Sequence, residues 1–155
     1  MERLDRAGYR QYEISNVARP GFESRHNLKY WQDGAWRGFG CGAHSTRAGV
    51  RWKNVSATND YIECQGIGSD SPLATEVRRL TRREQLGDAL FMALRLSEGI
   101  QITDIRERYG IDVWMEYGSE LQMFVDEGIL RREPERLFLT RRGMLLAHEV
   151  MTVFV

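Results

Sequence analysis

The spacing of apolar positions changes along the chain. From Tyr9 to Ile14 aromatic or apolar residues alternate with polar ones, a period of two that predicts a strand. Residues 1–7 predict the tail of a helix, with Gly8 as its stop. A helix tail feeding directly into a strand is the middle of an α/β unit, and parallel strands need neighbours on both sides. The stretch therefore predicts a sheet fragment with an open edge at Tyr9–Ile14, prone to pair with a second copy as a homodimer. Ser24 predicts the N-cap of a short helix from Arg25 to about Gln32. Val50–Val55 predicts a strand pairing back on Ser45–Arg47 around Ala48-Gly49. Thr58 predicts a cap for a helix to about Gln65. The small residues Gly66 to Pro72 predict a linker, dividing the chain into segments 1–72 and 73–155.

Past that border the period lengthens. Thr81 and Glu84 form a capping-box pattern ahead of Leu86, Leu90, Ala93 and Leu94, which share one helical side. Gly99 predicts the end of that region. A short helix is expected at about Thr103–Tyr109, and a second capping box, Ser119 with Gln122, opens another to Asp126. Ile129–Arg132 and Leu137–Leu139 predict a hairpin, and Thr140 caps a closing helix to about Val153 that buries His148. The expected fold class is α+β: an α/β fragment, then a winged-helix-like module.

Composition narrows the function classes. Hydrophobic residues are 42% and charged residues 28%, a globular balance. With 22 basic and 22 acidic residues the chain is formally neutral, without the positive excess that phosphate-backbone binding favours. Arg pairs stand at 78–79, 82–83, 131–132 and 141–142. The helix in the recognition position, Ser119–Asp126, holds Glu120 and Asp126 but no Arg or Lys, so nucleic acid is not the expected partner. No apolar run is long enough to span a membrane. The charged start Glu2-Arg3-Leu4-Asp5-Arg6 has no leader-like apolar region, which makes the cytoplasm the expected compartment. Cys41 and Cys64 are far apart with no CxxC or CxxH pattern, so reduced thiols are expected, with Cys64 as apolar filler.

Four ordered motifs carry a resemblance. Gly8-Tyr9-Arg10-Gln11-Tyr12-Glu13-Ile14-Ser15-Asn16 follows a GYxxYEISN pattern, and His26-Asn27-Leu28-Lys29-Tyr30-Trp31 an HNxxYW pattern. Gly38-Phe39-Gly40-Cys41-Gly42-Ala43-His44-Ser45 follows GxGxGAHS, with Cys41 where proline is common. Arg51-Trp52-Lys53-Asn54 and Tyr61 come next. Looser matches lie at Leu94–Ile100 and Leu137–Gly143. Together these resemble the C-terminal part of HemW-type proteins of the radical-SAM coproporphyrinogen-oxidase family. The resemblance implies the C-terminal edge of a partial radical-SAM (β/α)6 barrel over 1–72 and a HemN C-terminal domain over 73–155. It also implies haem binding and haem transfer, with HNxxYW as the element associated with haem. The family holds S-adenosylmethionine and a [4Fe–4S] cluster through a CxxxCxxC motif. That motif is not in this sequence, and two cysteines cannot supply three cluster thiolates. Catalysis is therefore expected of a complete parent with the N-terminal half of the barrel, not of this chain alone. A haem-accepting protein is the further partner implied.

The residues allow specific chemistry and plainer alternatives. On a helix, His26 and Tyr30 are i,i+4 neighbours, as are Asn27 and Trp31, so one face offers an imidazole to haem iron and rings to a flat macrocycle. The alternative is a helix packing Leu28, Tyr30 and Trp31 on the sheet. Cys41 is a weaker candidate for the iron, as a thiolate lowered by loop amides. The resemblance places Gly40, Gly42, Ala43 and His44 beside bound S-adenosylmethionine. Gly38-x-Gly40-x-Gly42 also suits a phosphate, though no Rossmann unit accompanies it, and His44-Ser45 lacks the GxSxG of a hydrolase. Two rival functions remain. One is the substrate side of an oxygen-independent coproporphyrinogen III oxidase in porphyrin biosynthesis; the other is a winged helix for DNA or protein.

Overall fold

A computed structural model describes residues 2–64 and 69–155. The order of elements is α1 (Glu2–Arg6), β1 (Arg10–Gln11), β2 (Val17–Ala18), α2 (Arg25–Trp31), β3 (His44–Arg47), β4 (Val50–Asn54), α3 (Thr58–Glu63) and β5 (Ala74–Arg79). The chain continues through α4 (Arg82–Ala93), β6 (Ile100–Gln101), α5 (Ile102–Tyr109), α6 (Val113–Asp126), β7 (Leu130–Arg132), β8 (Arg136–Leu139) and α7 (Ala147–Met151). Two compact units result. One joins the chain up to Asp33 with Leu86–Val155, and the other is Gly34–Gln85. This division differs from the border expected at 72/73, because the chain leaves the first unit and returns to it. The expected Gly66–Pro72 linker falls partly outside the described residues, as does the end expected for α3 at Gln65.

The first unit is built on the aliphatic periodicity of α4 and of the elements C-terminal to it. Leu86, Ala89 and Leu90 of α4 are buried together with Leu94, Ile100, Leu121, Leu130, Leu137 and Leu139. Fully burying one such side chain contributes about 1.5–3 kcal/mol. The strands β6, β8 and β7 form an antiparallel sheet in that order, with Leu130 opposite Leu139 and Ile100 opposite Leu137. The helix α6 begins at Val113, not Ser119. Asp112 is its N-cap, accepting from the Trp114 and Met115 amides at 3.0 and 3.1 Å. Ser119 lies inside the helix and donates to Glu120 instead. The closing helix is broken: a 3-10 turn at Gly143–Leu146, then α7, then a second 3-10 turn at Thr152–Phe154. Ala147, Val150 and Met151 face the core, which leaves His148 exposed rather than buried.

The N-terminal strand also departs from expectation. The named strand is only Arg10–Gln11, which pairs antiparallel with β2 across the five residues Tyr12–Asn16, while Glu13 forms an isolated antiparallel bridge with Leu96. Beyond it the backbone turns to residues near the end of α4: the Ile14 amide donates to the Arg95 carbonyl at 2.9 Å, and the Ser97 amide to Tyr12 at 3.0 Å. The Tyr9–Ile14 backbone is thus largely engaged in antiparallel contacts, not displayed as an open parallel edge.

The second unit is an antiparallel sheet in the order β3-β4-β5. Ala48 and Gly49 connect β3 to β4 with φ of 50° and 73°. Two positive φ values match the turn that follows the natural strand twist in a two-residue hairpin. The third strand, β5, had no sequence expectation. Thr81 and Glu84 then form the expected capping box: the Thr81 amide donates to Glu84 at 2.7 Å and the Glu84 amide to Thr81 at 3.2 Å. Helix α3 opens at Thr58, but its N-cap is Ala57, without a side-chain cap bond. Among the described residues, no helix is long and apolar enough to cross a membrane.

Candidate functional site

Helix α2 displays the HNxxYW residues. Ser24 stands in extended conformation ahead of it and accepts from the Asn27 amide at 3.3 Å, satisfying one of the first-turn donors. His26 is exposed, and its imidazole has no hydrogen-bond partner among the described residues. Its ring meets the Tyr30 ring edge-on, with centroids 4.9 Å apart. Asn27, Tyr30 and Trp31 are half-buried. The structure brings His26 and Tyr30 together but takes Trp31 elsewhere. The Arg95 guanidinium lies over the Trp31 ring at 4.2 Å, a cation–π contact. That ring face is therefore already occupied.

Arg95 is held in turn by Glu13, the acid of the YEISN stretch. Glu13 is wholly buried, and a buried carboxylate is tolerated only when paired and hydrogen-bonded. It meets that demand fully. One oxygen accepts from the Asn16 side chain at 2.6 Å and the Ser15 amide at 3.0 Å, and the other from Arg95 at 3.3 Å. The chain Glu13–Arg95–Trp31 thus ties α2 to the end of α4. Sequence reasoning used Glu13 only as a signature residue and assigned Arg95 no role. The available signal was Arg95 itself, a cation between the core residues Leu94 and Leu96.

The glycine loop is a separate construction within the second unit. Asn54 is buried and donates to the carbonyls of Gly38 and Gly40 at 3.1 and 3.0 Å. The Gly38 amide donates to buried Ser45 at 3.0 Å, the Gly40 amide to Tyr61 at 2.9 Å, and the Gly42 amide to the Val55 carbonyl at 2.9 Å. A Cβ at Gly38 would come within 2.4 Å of the His44 carbonyl oxygen, so only glycine fits there. These three amides are engaged inside the protein and are not free to cradle a phosphate. Cys41 is exposed and donates to Thr58 at 3.6 Å, and His44 is exposed at the start of β3. Cys64 is only half-buried beside exposed Ile62, which corrects its expected place as core filler. Among the described residues no group of three or more His, Cys, Asp or Glu is arranged to hold a metal ion.

Residues 80–146 match the family model of the HemN C-terminal domain. Heme chaperone HemW of Bacillus subtilis is 33% identical over 155 residues, covering 100% of this chain and 40% of the relative. The protein of that name from Haemophilus influenzae is 54% identical over 157 residues, covering 98% of this chain and 39% of the relative. The solved structure of coproporphyrinogen III oxidase (HemN) from Escherichia coli, a radical SAM enzyme, superimposes with a TM-score of 0.72. It matches 99% of this chain and 38% of that one at 15% identity, a likeness of fold alone. The chain spans about two fifths of the length of the curated relatives it matches.

Proposed function

The chain corresponds to the C-terminal part of a HemW-type protein, and on that premise we propose that it is a haem-binding and haem-transfer module in which His26 ligates the iron. The observation that carries this reading is the exposed imidazole of His26, without a hydrogen-bond partner among the described residues, on a helix start capped by Ser24. Neutral imidazole is an ordinary ligand of haem iron. The Tyr30 ring, edge-on to His26, limits how the imidazole turns and adds apolar surface for a macrocycle. Asn27 lies one position on, at the same end of the helix. Trp31 takes a different part from the stacking surface expected of it: held under Arg95, it anchors the helix that carries His26. Cys41, exposed and bonded to Thr58, is the secondary candidate for the iron. Gly40, Gly42, Ala43 and His44 are read as the wall of a complete barrel on the S-adenosylmethionine side. Cluster chemistry belongs to the rest of such a protein, since the two cysteines here do not make a CxxxCxxC motif.

The HemN C-terminal region we read as a winged-helix-like scaffold rather than a DNA reader. Its α6 carries Glu116, Glu120 and Asp126 with neither Arg nor Lys, the wrong charge for a phosphate backbone. A second reading, the porphyrin-facing side of a coproporphyrinogen oxidase, has the likeness in fold to HemN in its favour. Titration of the purified chain with haemin, followed at the Soret band, tests the first against the second. Stoichiometric binding is expected, weakened more than tenfold in His26→Ala and unchanged in Cys41→Ser. Metal-free coproporphyrin should bind His26→Ala and the parent chain alike. Haemin affinity that survives His26→Ala would overturn the assignment.

A further inference from the structure

The sheet β3-β4-β5 carries cations on both faces, and the two faces treat them differently. In register, Arg47 lies opposite Val50 and Val50 opposite Arg79, so these three share one face. Trp52, two residues beyond Val50, belongs to the same face. Lys53 and Arg78 belong to the other, and each has an acid: Lys53 meets Glu76 at 3.2 Å and Arg78 meets Glu84. On the first face Arg47 and Arg79 have no acidic partner among the described residues. Arg37, from the loop ahead of β3, has none either and joins them around a cleft of about 670 Å³ that Val50 and Trp52 also line. Among the described residues Asp70 is the single carboxylate lining that cleft, against three arginines.

This is an uneven use of charge. Arg47 and Arg79 sit on strands two spacings apart, roughly 9–10 Å, close enough for long side chains to repel or to close on one ligand. Guanidinium forks match carboxylate and phosphate oxygens two at a time. The cleft also has the size of a small-molecule site and apolar groups beside its cations. We propose that this cleft binds a small organic anion bearing phosphate or carboxylate groups, held by Arg47 and Arg79 with its apolar part on Val50 and Trp52. The site lies wholly within Gly34–Gln85 and does not depend on the haem reading.

Calorimetric titration of the whole chain with pyrophosphate, and separately with glutarate, tests this at constant ionic strength. At least one anion is expected to bind saturably. Arg47→Gln and Arg79→Gln should each weaken it at least tenfold, and Arg78→Gln, on the ion-paired face, less than twofold. Preference for pyrophosphate would identify phosphate as the natural group, and preference for glutarate a carboxylate. Arg79→Lys keeps the charge but loses the fork, and a loss of threefold or more is expected in a protein whose circular dichroism is unchanged. If neither anion saturates, or if Arg78→Gln loses as much as Arg79→Gln, the proposal fails.

Discussion

Glu13 is the residue on which the HNxxYW helix ultimately leans. Its oxygens are satisfied by Asn16, Ser15 and Arg95, and Arg95 covers Trp31. Removing one partner of a buried pair leaves the other charge without compensation. Glu13→Ala should therefore cost roughly 3 kcal/mol, the lower end for such pairs because Arg95 keeps some contact with water. Denaturant unfolding measures this, and a cost below about 1 kcal/mol would show that the pair does not hold the helix. Two half-buried capping carboxylates make a second prediction at this scale. The Thr81 backbone amide, then its hydroxyl, hold the Glu84 carboxyl below its usual range. The Met115 amide, then Arg106, do the same for Asp112. Because the folded values are lowered, the stability these groups contribute is present above the ordinary carboxylate range and is lost as pH falls through the folded values. The melting temperature should drop on acidification below about pH 4, and less steeply in Glu84→Gln and Asp112→Asn. Equal slopes in all three proteins would refute this linkage. The meeting of the His26 and Tyr30 rings was legible from i,i+4 spacing alone. The separate fate of Trp31 was not, because its partner Arg95 is more than sixty positions away.

Caps and turns decide where the elements begin, and their signals differ in strength. Thr81 with Glu84 and Ser24 ahead of α2 were read correctly, since the donors and acceptors lie within one turn of each other. Ser119 with Gln122 has the same letters but sits inside α6, where Asp112 had already satisfied the first amides. Thr140 illustrates a cap whose value is partly tertiary. Its hydroxyl accepts from the Gly143 amide at 3.0 Å and donates to the Gly128 carbonyl at 2.7 Å. Thr140→Ala should cost about 1 kcal/mol from the lost cap. Thr140→Ser, which keeps both bonds, should recover most of it in the same unfolding experiment. If serine is no better than alanine, the hydroxyl is not the source of the effect. The strand β5 escaped sequence reading because Ala74–Arg79 has four exposed residues in six, so no alternation of burial marks it.

At the scale of the whole molecule, the first unit is discontinuous in sequence, joining the chain up to Asp33 with Leu86–Val155. Cutting at the border expected from sequence, 72/73, removes Arg95 from Glu13 and Ile14. Residues 1–72 alone should therefore give no cooperative melt by circular dichroism, whereas the whole chain should give one. A sharp transition in the short piece would contradict this division. The sequence by itself determined a good deal: the kinship with HemW-type proteins, the capped helix of His26, the Ala48-Gly49 hairpin and the apolar stripe of α4. Each rests on residues within a few positions of one another, or on an ordered series of short motifs. Only the tertiary structure decided that Glu13 is buried, that Trp31 lies under Arg95, that Asn54, Ser45 and Tyr61 bind up the glycine loop, and that His148 faces outward. These outcomes depend on which distant groups meet, and a buried charge or an engaged amide is set by the partner it finds rather than by its neighbours in sequence.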